Sequence, residues 1–226
     1  MKRYLRSVWL LVLVGTCSLS SVSRADNLPA NTPATPGVSV TNVADASTFL
    51  GAQQGSALVT TLSSQTFTGT LVSAVFLDKD TGHLDFVYQY HNDSTSADAN
   101  ERLTFFSFAG VDVFAADTNN NNFDSIDFAA GAVQANLANR PQISGDTVGF
   151  YGFSGGGIAP GSTTYSLILK TNWDSYTVGR GSAIDGSTAQ GPAYTPVSEP
   201  ASMLILGSGL LSLGGIRRRW IARSLQ

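Results

Sequence analysis

Sulfur chemistry is almost absent from this chain. Its single cysteine is Cys17, which lies in an N-terminal apolar stretch, so the body from residue 26 onward has no thiol. Disulfide stapling, cysteine catalysis and cysteine-based metal sites are excluded there together. Basic residues are nearly as scarce: between Asp26 and Glu199 only Lys79, Arg102, Arg140, Lys170 and Arg180 are cationic, against all 16 acidic residues, a net charge of −11. That balance argues against a nucleic-acid partner, because backbone phosphates need neutralising cations. Histidine is limited to His83 and His91. No amphipathic helical pattern is long enough to cover a parallel sheet, and no fixed-period repeat marks a solenoid or propeller.

The two ends carry what the body lacks. Lys2, Arg3 and Arg6 precede a continuous apolar run over 8–14, and Ser23-Arg24-Ala25 supplies small residues at the two positions that a signal peptidase reads. This pattern describes a secretory signal over 1–25, cleaved after Ala25 and handled by the Sec translocon and signal peptidase. Thr16 before Cys17 fits a lipoprotein signal poorly. At the other end, Val197-Ser198-Glu199-Pro200 leads into sixteen uncharged, mostly apolar residues from 201 to 216, followed by Arg217, Arg218 and Arg219. As a helix the run rises about 24 Å, short of the roughly 30 Å hydrocarbon core, so it can enter a bilayer but makes a poor permanent anchor. The arginines place its C-terminal end in the cytoplasm and the body outside.

This terminus resembles the PEP-CTERM proteins of Gram-negative bacteria, whose exported domains end in Pro-Glu-Pro, an apolar helix and an arginine cluster. Glu199-Pro200, Ala201-Ser202-Met203-Leu204-Ile205-Leu206-Gly207 and Arg217 to Arg219 carry the likeness. Ser198 stands where the family has its first proline, and seven residues follow the arginines. The resemblance implies a sorting segment over 197–220, with Glu199, Pro200, Arg217, Arg218 and Arg219 as the signal. It further implies exosortase as the processing partner, a transient inner-membrane anchor, and a final location at the cell surface or outside the cell. A weaker likeness to exported domains of the family runs through 83–90 and 175–186.

Within the body, Pro29, Pro33 and Pro36 predict an extended, unpacked stretch over 26–37, at the start of an N-terminal lead-in over 26–55. From about residue 56 the pattern turns to short runs rich in Thr, Val, Phe and Tyr, broken by Gly, Asn, Asp and Ser, which is strand composition. Residues 66–77 and 83–91 predict a hairpin across the turn Asp78-Lys79-Asp80-Thr81-Gly82. Leu84, Phe86, Tyr88 and Tyr90 would pack on one face, while His83, Asp85, Val87, Gln89 and His91 would meet water on the other. Further strands are expected over 103–108, 111–114, 147–153, 165–171 and 175–178, with a short Ala-rich helix over 128–137. The whole predicts an all-β domain over 56–185, an antiparallel β-sandwich (jelly-roll-like or Ig-like), flanked by the N-terminal signal helix and the C-terminal transmembrane helix. Residues 186–196, low in large apolar side chains, are expected to be a linker.

Five local features have two readings each. Gly152-Phe153-Ser154-Gly155-Gly156 matches a nucleophile elbow, but no histidine follows His91 to complete a triad, so it reads as a glycine-rich turn. Asp117, Asn119, Asn121, Asp124 and Asp127 alternate oxygen ligands as calcium loops do, although Asn122 replaces the turning glycine and Phe128 the bidentate carboxylate. His83 and His91 lie about 27 Å apart along a strand, too far to share an ion. Asn92-Asp93-Ser94 fits a glycosylation acceptor on an exposed turn. Phe86, Tyr88, Tyr90, Phe105, Phe106 and Phe108 suit either a core or a sugar-stacking platform, with alternation favouring the core. No cofactor is expected. The functional expectation is a non-enzymatic cell-surface or matrix protein linked to exopolysaccharide or biofilm. A carbohydrate- or calcium-binding module is the alternative, and a glycoside hydrolase using paired carboxylates comes third.

Overall fold

The structure, a computed structural model, describes residues 26–33, 37–119 and 127–197. Fourteen strands account for most of its regular structure. The first five are short: β1 (Asp26–Asn27), β2 (Val38–Ser39), β3 (Thr41–Asn42), β4 (Leu50–Gln53) and β5 (Leu58–Ser63). The central strands are β6 (Thr68–Asp78), β7 (Leu84–Asn92), β8 (Arg102–Phe105), β9 (Val113–Thr118) and β10 (Ala135–Asn139). The chain continues through β11 (Val148–Phe153), β12 (Ser166–Thr171), β13 (Tyr176–Asp185) and β14 (Ser187–Pro196).

These strands form two sheets. The larger runs β1-β9-β12-β7-β6-β4, with β5 also on β6 and β3 also on β9; the smaller runs β14-β13-β8-β11-β10-β2. Among the described residues all strand pairings are antiparallel except β3 with β9, and an isolated parallel bridge joins Val133 and Thr164, so the expected antiparallel sheet is locally mixed. The inward positions of both sheets share one core: Leu71, Phe86, Tyr88, Tyr90, Leu167 and Leu169 from the larger, and Leu103, Phe105, Val148, Phe150 and Ala183 from the smaller. Tyr88 of β7 stacks on Phe105 of β8 across the interface, with ring centroids 3.7 Å apart and planes 14° from parallel. Such a pair adds about 0.5–1.5 kcal/mol beyond the area that it buries.

The β6–β7 hairpin forms where its alternation and turn residues predict it. Asp78 Oδ1 accepts from the backbone N–H groups of Asp80 and Thr81, each at 2.8 Å, and Gly82 takes the positive φ of 73° that closes the turn. The expectation that the second face of β7 meets water is overturned: Asp85, Val87 and Gln89 are buried. A second apolar cluster of Val43, Ala46, Phe49, Leu50, Ala74, Phe76, Val87, Ala116, Phe128 and Ile168 covers the outer side of the larger sheet. Apart from Phe128, the covering residues come from the lead-in over 26–55, ahead of the expected start of the β domain. Within it Leu28, Val40, Val43, Phe49 and Leu50 are buried, because the prolines are followed by enough apolar side chains to hold the chain down.

Two further expectations fail on the same physics. The predicted Ala-rich helix over 128–137 is loop and then β10, whose Ala135 and Ala138 face the core where small side chains let the sheets approach. The predicted linker over 186–196 is β14, paired with β13 over ten consecutive residue positions. Its inward residues, Ala189, Gly191 and Ala193, are small because Thr60 and Leu62 of β5 press against that edge.

Candidate functional site

The C-terminal exit of the sandwich is tied down. Beyond Pro196, the Val197 N–H donates to the Ser175 carbonyl at 3.3 Å, and the Val197 carbonyl accepts from the Trp173 indole N–H at 2.9 Å. Ser198, Glu199, Pro200 and Arg217 to Arg219 lie outside the described residues, as does the predicted signal over 1–25. Among the described residues no helix is long and apolar enough to cross a membrane.

Paired carboxylates occur at the closed end of the β6–β7 hairpin. Asp78 and Asp85 are both buried, and Lys170 of β12 places Nζ 2.7 Å from Asp78 Oδ2 and 4.0 Å from the centroid of the Phe49 ring. Burial raises Asp78, but the Lys170 ion pair and the N–H groups of Thr81 and Asp80 outweigh it and leave the carboxyl below its usual range. Burial, reinforced by the Asp78 charge, pushes Asp85 well above the usual range. The arrangement is two buried carboxyl groups shifted in opposite directions, one of them ion-paired with a lysine that lies over an aromatic ring.

The outer face of the smaller sheet is different. Arg102 of β8 donates through Nε to Thr104 Oγ1 at 3.2 Å and through Nη2 to Asn139 Oδ1 at 2.6 Å. Its guanidinium lies over Gly149, where any Cβ would fall 2.0 Å from Nη2. Tyr151, directly opposite Arg102 in the β8–β11 register, has its ring centroid 5.5 Å from the guanidinium carbon and its hydroxyl bonded to the Gly37 backbone. Glu101, Arg102, Tyr151, Gly152, Phe153, Gly156 and Gly157 line an open groove of about 370 Å³.

The family profile of the PEP-CTERM protein-sorting motif matches residues 196–219. The chain carries the PEP-CTERM protein-sorting motif. It is an exported chain targeted to exosortase, and its sorting motif begins at the last residue of β14. Neither a curated protein nor a solved structure matches the chain.

The remaining sequence candidates among the described residues take separate partners or positions. Asp117 is buried at the inter-sheet end of β9, accepts from Asn42 Nδ2 at 3.0 Å, and is pushed up to about 7 by burial against the opposing bonds from Asn42 and Ala135. Asn119 is exposed, Asn121 and Asp124 lie outside the described residues, and Asp127 lines a shallow groove with His91 on the outer face of the larger sheet. Among the described residues no three His, Cys, Asp or Glu side chains cluster in a geometry able to hold a metal ion. His83 sits 2.5 Å from Asp174 and His91 2.9 Å from Thr163, so the two histidines take separate partners.

Ser154 Oγ accepts from the Gln134 N–H at 3.0 Å, bracing the glycine-rich turn against the start of β10. Asn92 is fully buried and donates to the carbonyls of Asp98 and Ile158, so the residue of the Asn92-Asp93-Ser94 pattern is not exposed after the strand but closes the end of β7. Phe86, Tyr88, Tyr90, Phe105 and Phe108 are core residues, and Phe106 is half-buried. The Arg102–Tyr151 groove escaped sequence reasoning: its residues come from β8, β11 and the 152–157 turn, and only the unusual scarcity of cations pointed toward Arg102.

Proposed function

We propose that this PEP-CTERM protein is a non-catalytic cell-surface or extracellular-matrix component that works in association with exopolysaccharide. Its 1–25 signal is removed after Ala25, the 201–216 run holds it in the inner membrane as a helix, and exosortase then cuts near Glu199-Pro200. The observation that carries this reading is the continuity of β14 with the sorting motif. The sandwich itself is what the tail delivers, with no further module between them.

Two features support a non-catalytic role. Asp78 and Asp85 are both buried, and Asp78 is ion-paired with Lys170, whereas glycoside hydrolysis needs two carboxyls flanking an accessible bond. The Ser154 hydroxyl accepts from backbone in a turn. Mass spectrometry of the protein recovered from cells with and without exosortase tests the sorting step. A C-terminus near Glu199 in the first strain and an intact tail in the second are expected; an intact tail in both overturns the reading. Deletion of the gene is expected to alter extracellular matrix without removing any hydrolytic activity toward the matrix polymer.

A further inference from the structure

Three candidates stand outside the sorting function: the Asp78–Asp85–Lys170 cluster, the shallow His91–Asp127 groove and the Arg102–Tyr151 groove. The first is closed to solvent by Phe49, and the second borders residues 120–126, outside the described chain. The third combines a charge, a shape and an opening.

Arg102 is unusual for this protein. Of the other four cations in the body, Lys170 is paired with Asp78, and Arg140 is buried with its N–H groups spent on the carbonyls of Gly145, Leu28 and Phe108. Lys79 donates to the Ser47 carbonyl, and Arg180 is exposed. Arg102 is half-buried, yet among the described residues no carboxylate forms an ion pair with it, in a body carrying 16 acidic side chains. It is nevertheless held in one place. Thr104 and Asn139 fix two of its nitrogens, and Gly149 supplies the flat floor that any side chain would obstruct. Asn139 is fully buried and turns its oxygen toward Arg102, leaving Nδ2 without a partner, a loss that falls on the fold rather than on the groove. Fixing an unpaired guanidinium in this way leaves Nη1 free of protein acceptors, and a planar fork of this kind matches a carboxylate bidentately.

The neighbours narrow the ligand. The Tyr151 side chain reaches from β11 across β10 to Gly37, and the guanidinium carbon of Arg102 lies over its ring, 5.5 Å from the centroid. The half-buried amphipathic ring lines the open groove, and an aromatic ring there suits the C–H side of a sugar ring. Glu101 is exposed on the rim; it repels a second negative charge but accepts hydrogen bonds from hydroxyls. The far wall is the glycine turn at 152–157, which presents backbone without bulk. One carboxylate, a ring-shaped body and hydroxyls together describe a uronic acid.

We propose that the outer face of the smaller sheet binds a carboxylate-bearing sugar residue of an acidic polysaccharide, with Arg102 on the carboxylate, Tyr151 under the ring and Glu101 on a hydroxyl. This deepens the matrix-association reading and rests on it. The two fail separately, because sugar binding is measured on purified protein regardless of how its tail was processed.

The test is calorimetric titration of the protein purified from the secreting host with tetragalacturonate, with its neutral counterpart tetragalactose, and with an oligoglutamate of equal charge. Tetragalacturonate is expected to bind at least tenfold more tightly than either of the others, and to weaken as salt rises. Arg102→Met is expected to lower that affinity at least tenfold, while Arg180→Met, outside the groove, leaves it unchanged. The proposal is overturned by no uronate binding at millimolar concentration, by equal binding of the neutral sugar, by equal binding of oligoglutamate, or by full retention in Arg102→Met. Should Arg102→Met fail to fold, the comparison of charged and neutral sugars on the unaltered protein still decides.

Discussion

The Trp173 indole N–H and the Val197 carbonyl, 2.9 Å apart, join the β12–β13 connection to the last residue before Ser198-Glu199-Pro200. Trp173→Phe keeps the ring packing and removes the donor. At this solvent-facing site the expected loss is at most about 1 kcal/mol, measured by urea denaturation. Release of Val197 lengthens the free chain ahead of the cleavage site, so pulse-chase labelling is expected to show faster tail removal. An unchanged rate would mean that this bond does not limit access.

Asp117 titrates near pH 7 in the folded protein because burial disfavours its charge, against an ordinary value near 3.8. The folded state thus holds a proton that the unfolded state releases. Its stabilising contribution is complete below about pH 4 and is lost as pH rises through about 7. Asp85, raised in the same direction, steepens the fall. Asp117→Asn is expected to flatten the stability profile between pH 4 and 7 and to raise the melting temperature at pH 8; a profile as steep as that of the unaltered protein would refute the assignment.

Lys170→Met strands the Asp78 carboxylate under Phe49. Removing one partner of a buried ion pair typically costs about 3–5 kcal/mol, and the loss is expected to be larger at pH 7 than at pH 3, where Asp78 can take up a proton. Chemical denaturation at the two pH values measures the difference. The double substitution Lys170→Met with Asp78→Asn should recover part of it.

Arg140→Lys is expected to destabilise the sandwich by about 2–4 kcal/mol. One ammonium cannot serve the three carbonyls of Gly145, Leu28 and Phe108 that the guanidinium reaches, and each buried carbonyl left without a donor costs about 1–3 kcal/mol. Equilibrium unfolding in urea, with an unchanged slope, would confirm a purely native-state effect.

The β6–β7 hairpin and the sorting motif were legible in the sequence for the same reason: each is a contiguous pattern whose meaning depends on its own residues. The alternation of Leu84, Phe86, Tyr88 and Tyr90 needs no partner to be recognised, and neither does Glu199-Pro200 before an apolar run and Arg217. Other features depended on residues far away. Asp85 and Gln89 are buried because Phe49, Leu50 and Phe128 fold over them, which no local pattern encodes. The stretch from 187 to 196 looked like a spacer because its inward positions are Ala and Gly, yet that smallness is what the closeness of β5 demands. Asn139 and Gly149 meet around Arg102 only through strand register, so the groove was invisible until the sheet was assembled.

The geometry of β14 also has a mechanical consequence. Its ten residues run from the turn at Gly186 to Pro196, and the tail leaves from the end farthest from that turn. Tension applied along the strand, as when the tail is held in a bilayer and the body is drawn away, loads all the rungs between β13 and β14 at once instead of peeling them singly. A force directed across the strand would open it one rung at a time, beginning at Val197. The protein can therefore withstand a pull in one direction while its last strand yields readily to a pull in another.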